Sequence, residues 1–132
     1  ALTLYTSIYF GLRSSPFVIL AFAFSDYFLG FHQLLIFTWG SLGIISVIGM
    51  YGKSFLSRLS LLFLSSIIFF MCSNFGVWLF SEFYTKDLEG LLQCYVLAIP
   101  FFTNTIISTF VFGVLFEISI MSKNKVTSLL YK

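Results

Sequence analysis

Residues 59–80 read LSLLFLSSIIFFMCSNFGVWLF, and residues 81–90, which follow directly, read SEFYTKDLEG. The first string carries no charged side chain, and at ~1.5 Å rise per residue it can cross the ~30 Å hydrocarbon core of a bilayer as a single helix. The second holds Glu82, Asp87 and Glu89, three of the five acidic residues in the chain, and marks a return to water. An uncharged span that ends in a polar connection fixes the class of the protein: its solvent is a bilayer.

Composition agrees with that reading. Hydrophobic residues make up 59% of the chain and charged residues 9%, with a mean hydropathy of +1.02, whereas soluble domains carry about 25% charged residues. Apolar runs predict helices at residues 1–11, 16–30, 34–51, 59–80 and 101–121, with residues 122–132 as a cytoplasmic tail. Residues 91–99 are apolar but too short to cross, and Pro100 cannot donate an amide to a continuing helix. They are therefore expected to form a separate short or re-entrant element. The predicted fold is all-α, a polytopic transmembrane helix bundle of about five spans, the first one partial, in a single domain over residues 1–132. The chain begins at Ala1, already inside an apolar run and without signal-peptide features, so a further segment is expected upstream.

Charge sets the orientation. With alternating spans, Arg13, Lys53, Arg58, Lys123, Lys125 and Lys132 fall on one side and Lys86 on the other, and the positive-inside rule makes the first side cytoplasmic. Residues 81–90 and the turn at His32 then face outward and the C-terminus faces inward. Net charge is only +2 and is spread over short loops, which argues against a nucleic-acid partner.

Catalytic and metal signatures are missing from the sequence. Cys72 and Cys94 have no second pair or flanking His and read as free apolar thiols, so no metal is expected. There is no phosphate-binding loop, no Walker motif and no usable Ser-His-Asp set, so neither an enzyme nor a cofactor is expected. His32 reads as a solvated turn residue. Glu117 lies near the cytoplasmic end of the last span, where a proton path is conceivable but snorkelling or pairing with Lys123 is the simpler expectation.

The remaining polar residues gather at one depth. Asp26 ends an outgoing helix, Asn74 and Trp78 lie near the end of another, Asn104 begins the ingoing one, and Glu82 and Tyr84 sit in the loop. One reading is a small-solute pocket open to the outside, with Trp78, Tyr84 and Tyr95 as stacking walls and Asp26, Asn74 and Asn104 as orienting groups. The other is that these groups cap helix ends and bond one another, Asp26 reaching Asn74 or Asn104. Thr3, Ser7 and Gly11 recur every four residues and offer a small-residue face, either for docking a partner subunit or for packing inside the chain.

Asn74-Phe75-Gly76-Val77-Trp78-Leu79, Tyr84-Thr85-Lys86-Asp87-Leu88-Glu89-Gly90-Leu91, Cys94-Tyr95 and Ile99-Pro100-Phe101-Phe102-Thr103-Asn104-Thr105 together resemble the signature of an uncharacterised family of bacterial multi-pass membrane proteins. Ser25-Asp26 followed by Gly30 is similar to a second element of that family. Its members are similar in layout to the substrate-binding S components of energy-coupling factor (ECF) vitamin transporters. The resemblance implies six spans in the full-length protein, both termini cytoplasmic, residence in the bacterial inner membrane, and coupling and ATPase subunits as partners. It also implies a departure: family members often carry Arg at the position of Thr103, and its loss argues against an anionic ligand.

Two functions follow as expectations. The chain is either the solute-binding subunit of an importer with no nucleotide site of its own, or a noncatalytic scaffold or assembly subunit of the envelope. An ion channel is disfavoured, because no helix carries a repeated polar stripe to line a pore.

Overall fold

The computed structural model describes residues 1–30 and 33–130. Five α-helices follow one another: α1 (Leu2–Phe10), α2 (Ser15–Leu29), α3 (Leu35–Gly49), α4 (Phe55–Phe80) and α5 (Leu88–Leu130), with a 3₁₀ turn at Leu12–Ser14 between the first two. Gly11, at φ 73°, closes α1 while its N–H bonds the Ser7 carbonyl, a backbone state that glycine adopts without steric cost. Pro16 sits in the first turn of α2, where its missing N–H would have had no helical partner in any case. His32 lies outside the described residues.

Two differences from the expected helices go beyond shifts of a residue or two at their ends. Helix α4 begins at Phe55, a full turn before residue 59, because Ser54 and Ser57 form a reciprocal capping box: each side chain bonds the other's backbone N–H, at 3.2 and 3.0 Å. Such a cap starts a helix wherever the sequence supplies it, and it draws Arg58 out of the loop and into the helix.

The second difference concerns Pro100. The predicted short element at residues 91–99 and span at residues 101–121 are one continuous helix, α5, with Pro100 inside it. Proline removes one backbone donor, the one that would have met the Val96 carbonyl, and a long apolar helix packed against a neighbour tolerates that single loss without a break. Thr103 bonds the Ile99 carbonyl at 3.4 Å and Thr105 the Phe101 carbonyl at 3.1 Å. The same helix runs on through the predicted tail to Leu130.

Among the described residues, three segments are long and apolar enough to cross a membrane, Leu12–Leu29, Phe55–Phe80 and Leu88–Ser122, while Leu35–Gly49 is apolar but shorter. Their outer faces are hydrocarbon: Phe17, Leu20, Phe24 and Phe28 of α2 and Val111, Leu115 and Ile118 of α5 are exposed. Helices that are apolar all round are at home in lipid rather than water.

Helix α4 is central, packing broadly against both α3 and α5, while α1 lies across α3. Leu4 and Tyr5 of α1, Ile45 of α3 and Leu62 of α4 form the buried core, with Phe110 and Phe116 of α5 against it. Gly76 lets α3 approach α4, since a Cβ there would stand 2.7 Å from the Phe37 ring.

The small-residue face of α1 is occupied within the chain. Thr3 and Ser7 are buried, Ser7 donates to the Ser46 carbonyl of α3, and a Cβ on Gly49 would meet the Ser7 Cβ at 2.9 Å. Of the docking set, Thr3 and Ser7 therefore face neighbouring helices, and Gly11 ends α1.

Candidate functional site

The polar connection between α4 and α5 is a set of mutual clasps. Asp87 precedes α5, and its Oδ1 accepts both the Gly90 N–H at 2.8 Å and the Thr85 hydroxyl at 2.7 Å. A carboxylate that accepts a backbone N–H at a helix start satisfies an orphan donor and lies at the positive end of the helix dipole. These bonds, led by the one from Gly90, hold the Asp87 carboxyl below the ordinary carboxylate range. Gly90 is required by close approach: a Cβ there would lie 2.1 Å from the Thr85 carbonyl oxygen.

Trp78 closes the same loop from the α4 side. Its indole N–H donates to the Thr85 carbonyl at 2.9 Å, and the Lys86 ammonium lies 5.8 Å from its ring centre, within cation–π range. Lys86 also donates to the carbonyls of Trp78 and Ser81. In this arrangement the indole holds the connection rather than walling a pocket.

Beneath the clasp, α4, α5 and the loop border an open cavity of about 240 Å³, lined by Asn74, Val77, Tyr84 and Cys94, with Leu97, Ala98 and Phe101 completing its wall. Asn74 donates from its side chain to the Phe70 carbonyl at 2.8 Å, which fixes the amide plane and leaves its carbonyl oxygen to a solute. Cys94 points its thiol at the Asn74 backbone carbonyl, 3.5 Å away.

Of the seven residues predicted for a solute site, two line this cavity, Asn74 and Tyr84. Tyr95 is turned across the α4–α5 contact, its hydroxyl donating to the Met71 carbonyl at 2.7 Å. Glu82 is exposed in the loop and Asn104 is exposed on α5. Asp26 does not reach Asn74 or Asn104. Its Oδ2 accepts the indole N–H of Trp39 at 2.9 Å, because α2 packs on α3 and α1 and hardly at all on α4 or α5.

A second polar centre lies at the other end of α4. Glu117 of α5, only 6% exposed, accepts the Tyr5 hydroxyl at 2.8 Å and two N–H donors of the Arg58 guanidinium, at 2.5 and 2.9 Å. Arg58, which the early start of α4 carries onto the facing helix, pairs with Glu117; the side chain of Lys123, the partner expected from the sequence, lies outside the described residues. Sequence reasoning placed Arg58 in a loop and passed over Tyr5. The missed signal was Ser54-Phe55-Leu56-Ser57, whose capping pattern would have set Arg58 in the first turn of a span, where a charge needs a partner.

A family model described as a family of unknown function, DUF6580, matches residues 1–129. The chain belongs to this family. No curated protein and no solved structure matches it. An uncharacterised family was expected from residues 74–105 and one is found, while nothing in the comparisons connects DUF6580 with ECF S components.

Proposed function

We propose that the chain is the solute-binding membrane subunit of an importer, similar in role to the S components of ECF transporters. The observation that carries the reading is the cavity of about 240 Å³ under the α4–α5 connection, where Asn74 and Tyr84 offer polar groups on otherwise apolar walls. Small-molecule sites have this make-up, a mostly apolar surface with a few fixed polar groups. On this reading the protein is a multi-pass protein of the bacterial inner membrane, its cavity opens to the outside, and the end of α5 is cytoplasmic. Arg58 is neutralised by Glu117, yet Arg13, Lys53, Lys123, Lys125 and Lys132 still outnumber Lys86 and support that orientation. The sequence holds no phosphate loop, so coupling and ATPase subunits would drive uptake.

The scaffold reading has its own support. Trp78, Tyr95, Asp26 and Glu117 are all engaged in bonds that tie helices or the loop together. Native mass spectrometry of the full-length protein separates the two. A retained small molecule that disappears in Asn74→Leu and Tyr84→Phe, with unchanged melting, supports binding; variants that unfold before any ligand is lost point to the scaffold.

A further inference from the structure

Because α5 runs unbroken through Pro100, Asn104 does not begin a span. It lies midway along one, 16 residues after Leu88 and 18 before Ser122 in the segment able to cross a membrane. Its carboxamide is exposed and bonds no described residue. In a bilayer that sets a donor and an acceptor among hydrocarbon chains, which satisfy neither. Polar side chains at this depth turn toward a protein partner rather than lipid.

The residues beyond Asn104 continue a seam. Asn104, Val111 and Ile118 recur every seven positions, and Ile107, Val114 and Met121 follow each of them by three, the a and d spacing of helices that wind about one another. All six are exposed, the five apolar ones by half or more. At 3.6 residues per turn they are turned away from α4, which α5 meets through Gly113 against Leu62 and Glu117 against Arg58. The openings beside Ala1 take Thr105, Ser108, Thr109, Phe112 and Phe116 from α5, none of them in the seam. This face therefore looks away from the bundle and from the start of the chain alike.

A carboxamide is its own complement, since the N–H of one donates to the carbonyl of another. No charged side chain lies on α5 between Glu89 and Glu117, so two such seams meet without like-charge repulsion. We infer that the seam is the interface of a homodimer: two copies of α5 cross the membrane in parallel about a two-fold axis normal to the bilayer, each Asn104 bonded to its counterpart. A two-fold interface presents the same patch from both subunits, and in parallel paired helices an a position meets its own copy. A single Asn at such a position fixes register and strand number. The apolar seam residues gain packing but no hydrophobic preference over lipid, so the amide pair supplies the selectivity.

The full-length protein in liposomes tests this, with dimer fraction read by energy transfer as the protein-to-lipid ratio is lowered. Asn104→Leu should weaken association about tenfold, the scale of an interhelical amide bond in a membrane. Asn104→Gln keeps a self-complementary amide and should restore most of it, and neither change at this exposed position should lower the melting temperature of the monomer. With Cys72 and Cys94 replaced, Val111→Cys should form disulfide-linked dimers under mild oxidation, while Leu20→Cys, exposed on α2, should not. A chain that is monomeric at every ratio would overturn the inference, leaving the seam to lipid or to another helix of the same polypeptide. So would equal cross-linking at positions 111 and 20, the mark of chance encounters, or an association that Asn104→Leu leaves unchanged. A larger closed ring would exclude the two-fold pairing.

Discussion

Arg58 and Glu117, 59 positions apart, join α4 to α5 through paired bonds, Nε to Oε1 at 2.5 Å and Nη2 to Oε2 at 2.9 Å. The fork geometry matches guanidinium to carboxylate, and Tyr5 adds a third helix through its hydroxyl. A pair so sheltered is weak evidence of net stabilisation, because desolvation of both ions opposes their attraction. It is strong evidence of register, since only one alignment of α4 against α5 brings the two together.

Removing one partner leaves the other charge buried, so Arg58→Met or Glu117→Leu should destabilise by about 3–5 kcal/mol. The double variant should recover much of that loss. Unfolding in mild detergent measures all three, and additive losses would contradict a coupled pair.

Asp26 and Trp39 link α2 to α3. Their interaction energy in a double-mutant cycle with Asp26→Leu and Trp39→Phe should fall at about 0.6–2 kcal/mol, the span of interhelical polar pairs in membranes. A value near zero would mean that Asp26 is solvated rather than bonded.

Gly90→Ala places a methyl group against the Thr85 carbonyl oxygen, 2.1 Å from an ideal Cβ. Because the obstacle is backbone, the loop must move, breaking the Asp87 cap and the Trp78 bond together. Faster proteolysis at residues 81–87 and a changed Trp78 environment are expected, and a parent-like digestion pattern would speak against the clasp.

The Asp87 cap should respond to acid. Its folded-state pKa lies below the unfolded value, with the Gly90 N–H as the main cause. Its contribution is therefore complete above the unfolded carboxylate pKa of about 3.9 and is lost as pH falls through the folded value. Hydrogen exchange at Gly90 should report the change below about pH 4, after correction for intrinsic rates, and Asp87→Ala should abolish it.

Orientation is open to labelling. With Cys72 and Cys94 replaced, Thr85→Cys should react with an impermeant thiol reagent in intact cells and Thr127→Cys should not. The reverse pattern would place the Asn74 cavity on the cytoplasmic side.

The membrane class and the main helices were legible in the sequence, because hydrophobicity summed over twenty residues is a local property that no tertiary contact reverses. The turn at Gly11, the start of α2 beside Pro16 and the polar break after Phe80 were legible for the same reason, each depending on residues within a few positions. Pro100 misled because one lost amide does not outweigh the bonds that the apolar run keeps on either side of it, and Ser54 was overlooked although its signal is equally local. Which polar groups meet was beyond the sequence. Asn74 and Asn104 seemed matched by depth, and Asp26 with them, yet rotation about each helix axis and the choice of neighbour decide such pairs. Packing settled both: Phe37 against Gly76 brings α3 to α4, Asp26 turns to Trp39, and the closeness of α4 to α5 gives Glu117 to Arg58.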